Sequence, residues 1–294
     1  MQEAINKAAA LVEAHQYIRR FLHKTIVVKV GGSIMDKPQT LQKLVVDICF
    51  MATVGMRPVI VHGGGKAITG AMQRAGLEAQ FVQGHRYTDE RTLAIAEHVL
   101  VNDVNRSIVD MINEQGHKAM GLHSLSSCVV FADRLFLTAS SDKHEKRRID
   151  VGLVGTITQV NAELLNTILD AGHVPVIAPI VRDGSGGKLN VNADSVAGHV
   201  AAALSAEKLV LVSDTHGIRQ NDDPESLALH LRRCEIEALI ESGQITAGML
   251  PKVEACFVAL GGGVQKAHII DGRIAHALML EIYTTEGVGT EIVM

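Results

Sequence analysis

The sequence contains few aromatic residues and no tryptophan. Of its 294 residues, three are Tyr and six are Phe, so aromatic residues make up 3% of the chain. A buried core must therefore be built from Val, Ile, Leu, Ala and Met, as is usual in parallel sheets covered by helices. Hydrophobic residues amount to 47% and charged residues to 20%, which is ordinary for a globular protein with a sizeable core.

Several other absences exclude whole classes of protein. The formal net charge of −4 excludes the basic excess that a nucleic-acid-binding protein needs. No apolar run reaches the length of a membrane span, and the N-terminus lacks the apolar core of a signal peptide. The four cysteines contain no CxxC pair, so we expect reduced thiols. These features predict a soluble, cytoplasmic protein with neither a nucleic-acid nor a membrane partner.

Strand and helix patterns alternate along most of the chain. The predicted strands are residues 25–30, 58–61, 128–131, 174–180 and 209–213, and the predicted helices are residues 67–75, 89–115, 162–171, 194–205, 235–242 and 248–260. Strands separated by helices indicate βαβ units, so we expect an α/β fold with one open, mainly parallel sheet. In such sheets ligands bind beyond the carboxyl ends of the strands.

The sequence suggests three parts. Residues 1–24 form an amphipathic helix ahead of the main fold, and its apolar stripe needs a partner in its own domain or in another subunit. Residues 184–187 (GSGG) resemble a flexible joint, which divides the remainder into lobes of residues 25–187 and 188–294. The polar, basic segment 140–148 is expected to be a solvated connection or a hairpin tip.

The familiar phosphate-binding motifs are missing, but two glycine clusters follow predicted strands. Neither GxxxxGK[ST] nor a GxGxxG after a strand is present. Gly31-Gly32 follows Lys29 at the end of the first strand, and residues 63–65 (GGG) follow the second. Each cluster alone is what a tight turn requires. Together, at one edge of a parallel sheet, they favour a cradle of backbone N–H groups for an anion.

Three further elements have both a functional and a simpler structural interpretation. Residues 190–194 (NVNAD) place amides and a carboxylate at the same edge, although Asn or Asp there would also cap the next helix. Lys252 is otherwise a lysine in a first helical turn, and Arg86 is otherwise a surface arginine. From these residues alone the alternatives stay open.

The order of the motifs is more specific than any one of them. The chain reads KVGGS, VHGGGK, GHRYTDE, DVGLVGTI, PVIAPI, NVNADSVAG, LVLVSDTHGI, GMLPKVEAC and HIIDGR. This series resembles the amino-acid kinase family, from residue 17 to the end of the chain. The resemblance implies two lobes, and transfer of the γ-phosphoryl of ATP to the side-chain carboxylate of N-acetyl-L-glutamate. It also implies Mg²⁺ held on the ATP phosphates, with no metal site made by the protein.

The resemblance assigns roles residue by residue. Lys29 and Lys252 would neutralise charge on the transferring phosphoryl group, and Asp194 would orient both lysines. The acetylglutamate-binding residues would be Gly64, Gly65, Arg86 and Asn190, and the ATP-binding residues would be Gly31, Gly32, Ser213, Asp214 and Gly217. Arg86 would grip a substrate carboxylate with two hydrogen bonds.

Two other functions fit the same series of motifs. One is the sister activity on N-acetyl-L-2-aminoadipate or its carrier-protein form. The sequence feature that indicates it is Tyr87, directly after Arg86. One methylene separates the two substrates, which is worth only about 1–3 kcal/mol. The other is a catalytically silent arginine-sensing module. The presence of Lys29, Asp194 and Lys252 favours an enzyme over such a module.

The N-terminal helix resembles that of arginine-sensitive members of the family. In those members interlaced helices join dimers into a hexamer, so the resemblance implies a hexamer here, built through residues 1–22. It also implies L-arginine as an inhibitory effector. The expected effector residues are Tyr17, Lys208, the stretch from His268 to Arg273, Glu281 and Gly287. The alternative is that residues 1–22 form a peripheral helix docked on their own domain.

Overall fold

The computed structural model describes residues 1–140, 146–221, 223, 226–245, 248–284 and 287–294. In chain order the strands are β1 (Thr25–Val30), β2 (Arg57–His62), β3 (Phe81–Val82), β4 (His85–Arg86), β5 (Lys118–Leu122), β6 (Val130–Ser140), β7 (Lys146–Val160), β8 (His173–Ile177), β9 (Ile180–Arg182), β10 (Lys188–Asn190), β11 (Lys208–Ser213), β12 (His230–Arg232), β13 (Lys266–Asp271) and β14 (Thr290–Val293). The α-helices are α1 (Gln2–Phe21), α2 (Gly32–Met35), α3 (Pro38–Thr53), α4 (Gly65–Arg74), α5 (Glu90–Glu97), α6 (Arg106–Glu114), α7 (Ala162–Asp170), α8 (Ala193–Ala203), α9 (Arg233–Glu241), α10 (Leu250–Gly261) and α11 (Ala277–Tyr283). A π-helix (His98–Asn105) lies between α5 and α6.

One eight-stranded sheet organises the molecule. Its strand order is β12-β14-β13-β11-β1-β2-β8-β5, and every neighbouring pair is parallel except β13 and β14. The predicted open, mainly parallel α/β sheet is therefore confirmed. Strand β1 lies near its centre and is buried along its whole length. The carboxyl ends of β1, β2 and β11 consequently meet at one edge.

Alternate residues of β1 supply two separate cores, one on each face of the sheet. Val27 packs in one apolar cluster with residues of α8 and α10, whereas Ile26 and Val28 pack in another with residues of α3 and α11. Successive side chains of a strand point to opposite faces, so a strand covered by helices on both sides must be apolar throughout. This explains the continuous β-branched run that the sequence shows.

A second, smaller sheet was not predicted. Strands β10, β7, β6 and β9 form a closed barrel, in which β6 and β7 make a long antiparallel hairpin. Of the polar segment 140–148, residue 140 ends β6 and residues 146–148 begin β7, whereas residues 141–145, where a connection or hairpin tip was expected, lie outside the described part of the chain. Residues 184–187, expected as a flexible joint, form the turn between antiparallel β9 and β10, where Asp183 accepts hydrogen bonds from Ser185 and Gly187. The division of the chain at residue 187 stays a prediction.

The predicted helix over residues 89–115 has the right extent but not a uniform geometry. It runs as α5, the π-helix and α6, because i→i+5 hydrogen bonds replace the usual pattern over His98–Asn105. The strand predicted over residues 174–180 divides into β8 and β9. The strand predicted over residues 128–131 begins instead at Val130 and continues to Ser140, where pairing with β7 sustains it.

Helix α1 packs on the rest of the chain mainly through its C-terminal end. Phe21 is buried, whereas Ile5, Leu11 and Val12 are 51%, 70% and 75% exposed. An apolar stripe on the first half of α1 therefore faces solvent in the single chain. Among the described helices, none is long and apolar enough to cross a membrane.

Candidate functional site

The two glycine loops face each other at the carboxyl ends of β1 and β2. A Cβ built on Gly32 would lie 3.4 Å from the backbone nitrogen of Gly65 and 3.7 Å from that of Gly64. The amide of Gly63 donates to the carbonyl of Val30 at 2.9 Å, which ties the second loop to the end of β1. Glycine at position 32 thus leaves the space in front of two backbone amides open, as an anion cradle requires.

Beside this cradle Lys29 and Asp194 form a buried ion pair. Lys29 Nζ lies 2.7 Å from Asp194 Oδ1, and the two side chains are only 9% and 8% exposed. Asp194 stands in the first turn of α8, where the Asn192 side chain accepts hydrogen bonds from the backbone amides of Asp194 and Ser195. The predicted capping role of this segment is therefore fulfilled by Asn192. The carboxylate of Asp194 is free to hold the lysine.

Arg86 closes another side of the cradle. Its Nη2 donates to the carbonyl of Gly65 at 2.9 Å and to Thr69 Oγ1 at 2.8 Å. Its guanidinium carbon lies 4.8 Å from the centre of the Phe81 ring. Burial lowers the pKa of Arg86, yet an arginine stays protonated at neutral pH. A fixed, planar cation therefore stands at the rim, with donors to spare for a carboxylate.

Seven of the predicted residues line one cavity of about 230 Å³: Lys29, Gly32, Gly64, Gly65, Arg86, Asn190 and Asp194. Asn190 reaches it from β10, and its amide lies 3.4 Å from Thr88 Oγ1. The cavity thus combines two cations, one carboxylate and backbone amides. This donor set suits a ligand with several anionic groups.

The other predicted nucleotide-binding residues lie elsewhere at the same edge of the sheet. Asp214 and Gly217 line a separate cavity of about 580 Å³, and Ser213 is buried at the end of β11. Burial raises the pKa of Asp214, but the Ser33 hydroxyl and nearby lysines outweigh it and leave the pKa below its usual value. Gly217 has φ 134°, and a Cβ there would lie 2.5 Å from Thr290 Oγ1, so a side chain cannot be accommodated.

Gly31 serves the contact between strands. Its amide donates to the carbonyl of Val212 at 2.9 Å, and a Cβ on Gly31 would lie at the same distance from that oxygen. Only glycine therefore lets the chain leave β1 this close to β11.

Lys252 lies near the ion pair but is held by a backbone group. Its Nζ donates to the carbonyl of Gly248 at 3.1 Å, across the first turn of α10. Burial lowers the pKa of Lys252 and Lys29 lowers it further, whereas Asp194 and Asp214 raise it. The structure therefore brings Lys29 and Asp194 into contact, while Lys252 is within electrostatic range of both.

The stretch from His268 to Arg273 reaches two different cavities, and its assignment to the effector site stays a prediction. Strand β13 crosses the sheet, so His268 lies towards the amino edge and Asp271 at the carboxyl edge. Arg273 donates to Asp271 from Nε at 2.9 Å and from Nη2 at 2.7 Å. His216 Nδ1 lies 3.0 Å from Asp271 Oδ2. Arg273 and His216 both line the cavity of Asp214 and Gly217.

The remaining effector residues do converge, at the opposite edge of the sheet. Tyr17, Lys208, His268, Glu281 and Gly287 line a cavity of about 790 Å³. Glu281 accepts from His268 Nδ1 at 2.6 Å and from the amide of Val288 at 2.8 Å. Burial lowers the pKa of His268. Burial would raise the pKa of Glu281, but the hydrogen bonds from His268 and Val288 hold it below its usual value.

Sequence reasoning missed some residues of these sites. Sequence analysis singled out neither His62, which bonds Gly63 of the glycine loop, nor Asn105, which bonds His62. The hydroxyl of Thr215, in the second cavity, is buried and has no hydrogen-bond partner among the described residues. A histidine directly before the glycine cluster was a signal in the sequence, but nothing there marked Asn105, which is 43 residues away.

Comparison with known proteins places the chain in a family. The model of the amino acid kinase family matches residues 24–271. The chain is 46% identical over 293 residues to an acetylglutamate kinase of Symbiobacterium thermophilum and 43% identical over 293 residues to one of Heliobacterium modesticaldum, with 99% of each chain covered in both alignments.

Solved structures agree with the sequence relatives. The N-acetylglutamate synthase of Neisseria gonorrhoeae, complexed with coenzyme A and N-acetyl-glutamate, matches with a TM-score of 0.85 and 26% identity over 98% of this chain. Its complex with coenzyme A and L-arginine matches with a TM-score of 0.79 and 26% identity over 97% of this chain. This chain spans 63% and 65% of the length of those two structures. From its sequence, its sheet and these matches, the chain belongs to the amino acid kinase family.

Proposed function

We propose that this chain transfers the γ-phosphoryl group of ATP to the side-chain carboxylate of N-acetyl-L-glutamate. One observation carries the proposal: a single cavity joins facing glycine loops, a buried Lys29–Asp194 pair and the guanidinium of Arg86. The curated relatives, aligned over 99% of the chain, are named acetylglutamate kinases. Phosphorylation of a dicarboxylic acyl-amino acid is the reaction that this arrangement and these names support together.

The chemistry needs positive charge and positioning rather than a general base. A carboxylate is already a nucleophile, so no proton has to be removed from the acceptor. The obstacle is that two anions must approach and that charge spreads over the phosphoryl oxygens during transfer. Backbone amides and cations that are already in place stabilise that charge without reorganising at the moment of reaction.

Each group has a part in this mechanism. Arg86 and Asn190 hold the carboxylate and amide of acetylglutamate that do not react, and the amides of Gly64 and Gly65 face the reacting oxygens. Lys29, oriented by Asp194, neutralises the phosphoryl group from one lobe. Lys252 does so from the other, after exchanging the carbonyl of Gly248 for the phosphoryl oxygens.

Magnesium fits this site as an ion carried by ATP. In the described part of the chain, no group of three or more His, Cys, Asp or Glu side chains could hold a metal ion. Magnesium commonly keeps its own waters and binds substrate phosphates, so it needs no protein cage. The reaction takes place in the cytoplasm in this proposal, in accord with four free cysteines.

The decisive test is steady-state phosphorylation with Mg-ATP and two alternative acceptors. We expect kcat/KM for N-acetyl-L-glutamate to exceed that for N-acetyl-L-2-aminoadipate, by about 10-fold or more for a one-methylene difference. A preference for the longer acceptor would replace the proposed substrate with its homologue. Absence of turnover with both acceptors would leave the arginine-sensing module as the function.

We also propose that L-arginine inhibits the enzyme from the cavity at the amino edge. The cavity offers a carboxylate, Glu281, for a guanidinium group and a cation, Lys208, for a carboxylate. In addition, His268 Nε2 is buried without a hydrogen-bond partner among the described residues. The similar synthase has been crystallised with L-arginine. Inhibition requires that arginine bind two conformations with different affinities.

The same proposal includes a hexamer assembled through α1. The apolar stripe of Ile5, Leu11 and Val12 is exposed in the single chain, and Tyr17 reaches the effector cavity from the same helix. Deletion of residues 1–22 should convert hexamers into dimers in light scattering and should weaken inhibition by arginine. A truncated protein that is still hexameric would refute the assembly. A full-length enzyme indifferent to millimolar arginine would refute the regulation.

A further inference from the structure

The histidine that precedes the substrate glycine loop is enclosed completely. His62 is the last residue of β2, and none of its surface is exposed. Burial lowers the pKa of His62 to about 4, so the imidazole is neutral at physiological pH and carries one ring proton. A neutral imidazole donates from one nitrogen and accepts at the other. The partners of these two nitrogens therefore determine which one is protonated.

Both ring nitrogens of His62 have partners. Nδ1 lies 2.9 Å from the carbonyl oxygen of Gly63. Because a carbonyl oxygen only accepts, Nδ1 must carry the proton. Nε2 then accepts, and the side-chain amide of Asn105 donates to it at 3.1 Å. The same amide nitrogen also donates to the carbonyl of Val176 on β8 at 2.9 Å. A chain of hydrogen bonds thus runs from β8 through Asn105 and His62 to Gly63.

The hydrogen bond to Gly63 has a consequence for the amide that follows it. In a trans peptide the C=O of one residue and the N–H of the next point in opposite directions. Holding the Gly63 carbonyl against His62 therefore turns the Gly64 N–H away from His62. The nitrogens of Gly64 and Gly65 are those that face Gly32 across the cavity. If this peptide rotated, a carbonyl oxygen would replace an N–H in front of an anionic ligand.

The π-helix is what delivers Asn105 to this position. A Cβ built on Gly64 would lie 2.5 Å from Leu100 Cδ2, so Leu100 packs directly on the loop. Asn105 lies five residues after Leu100 and meets His62, the residue that precedes the loop. In an α-helix each residue advances the chain by about 100° around the axis, so two side chains five residues apart point about 140° away from each other. The i→i+5 pattern over His98–Asn105 brings them onto one face.

We propose that His62 and Asn105 are positioning residues for the substrate-binding glycine loop, and that the function of the π-helix is to hold Asn105 against His62. Their effect is exerted through the backbone of residues 63–65, not by contact with substrate. This inference rests on the proposed function, because it assumes that the loop receives the acceptor and the phosphoryl group.

The kinetic test compares Asn105→Ala with Asn113→Ala in the full-length protein. Asn113 lies in α6 and also bonds a backbone group, accepting from the amide of Ala119 at 3.0 Å, but away from the loop. We expect Asn105→Ala to raise the KM for acetylglutamate by about tenfold, and to lower kcat, with the KM for ATP within about twofold of the wild type. Asn113→Ala should leave both KM values unchanged. Equal kinetics in the two variants would overturn the inference.

Substitution of His62 supplies a rescue experiment. His62→Asn keeps a donor near the position of Nδ1 and should retain most of the activity, whereas His62→Leu should lose about a hundredfold in kcat/KM. Equal losses in both variants, at equal melting temperatures, would refute a role for the hydrogen bond to Gly63.

Nitrogen-15 NMR of labelled histidine tests the geometry independently of activity. The wild-type protein should show His62 as the Nδ1–H tautomer, without titration between pH 8 and 5. The Nε2–H tautomer, or an ordinary titration near pH 6.5, would overturn the inference. A wild-type protein that fails to phosphorylate acetylglutamate but shows the Nδ1–H tautomer would refute the proposed function and leave the hydrogen-bond chain established.

Discussion

The two edges of the sheet each bury a lysine near a carboxylate, but they pair them differently. At the carboxyl edge Lys29 and Asp194 are in direct contact, 2.7 Å apart. At the amino edge Lys208 lies over the ring of Phe21, with 5.4 Å between Nζ and the ring centre. Within the described part of the chain, no carboxylate oxygen is within 4 Å of Lys208 Nζ. Burial lowers the pKa of Lys208, although Glu281 and Glu291 raise it.

The two sites therefore differ in charge pairing. At the carboxyl edge the lysine is already paired with a carboxylate, whereas at the amino edge the carboxylate of a ligand could pair with it. A buried cation in contact with a carboxylate is electrostatically satisfied, so the Lys29–Asp194 pair can stay in place between turnovers. At the other edge Glu281 is engaged by His268 and Val288, and no carboxylate of the described residues is in direct contact with the lysine. A ligand with both a cationic and an anionic group would complete that cluster, which supports an amino-acid effector there.

The largest expected effect comes from breaking the Lys29–Asp194 ion pair. Lys29→Met should lower kcat by about 10²–10³, the usual loss for removing one group that stabilises transition-state charge. It also leaves Asp194 buried and unpaired, which destabilises the protein. The double variant Lys29→Met/Asp194→Asn should recover the melting temperature but not kcat. Both variants should still bind arginine in calorimetry. Near-normal turnover in either would remove Lys29 from the mechanism.

The second prediction concerns a buried histidine at each edge, His62 and His268, whose pKa values are both lowered by burial. A histidine with a lowered pKa in the folded protein takes up its proton first in the unfolded state. The free energy of unfolding therefore falls as pH drops below about 6.5. For His62 the loss between pH 7 and 4 is about 3 kcal/mol, from its pKa of about 4.

Chemical denaturation at several pH values measures this loss. His62→Asn, which cannot titrate in this range, should show a shallower fall in stability than the wild type. Identical slopes would show that His62 is protonated in the folded protein as easily as in the unfolded one.

The third prediction concerns a substitution that affects the amino edge alone. Glu281→Gln should leave kcat unchanged and raise the arginine concentration for half-inhibition by at least about tenfold, because a charge-assisted hydrogen bond is lost. Glu237→Gln is the matched control, since Glu237 pairs with Arg233 on the surface of α9. A fall in kcat comparable to that of Lys29→Met would show that the two edges are not separate sites.

The smallest expected effect is in substrate binding at the carboxyl edge. Arg86→Lys should raise the KM for acetylglutamate by roughly tenfold, because an ammonium group cannot bond Gly65 and Thr69 and still present a planar pair of donors. The KM for ATP should stay as in the wild type. If only the KM for ATP rises, Arg86 belongs to the nucleotide rather than to the acceptor.

Residues close to a strand end or helix start were predictable. Lys29, Gly32, Gly64 and Gly65 lie at the carboxyl ends of two parallel strands, and parallel pairing brings such ends together. Asp194 follows from the same rule, since α8 begins at that edge. The stretch from His268 to Arg273 reaches two cavities for a related reason. A six-residue strand spans the sheet, so its two ends serve opposite edges.

The alternation of strands and helices, the parallel sheet and the glycine loops could be predicted from the amino-acid pattern, because these depend on local periodicity and backbone freedom. The barrel of β6, β7, β9 and β10, the π-helix and the contact of Asn105 with His62 could be recognised only in the folded chain. Such features depend on contacts between residues far apart in the chain. A local sequence pattern does not show which distant residues come into contact, because only the packing of the folded chain brings them together.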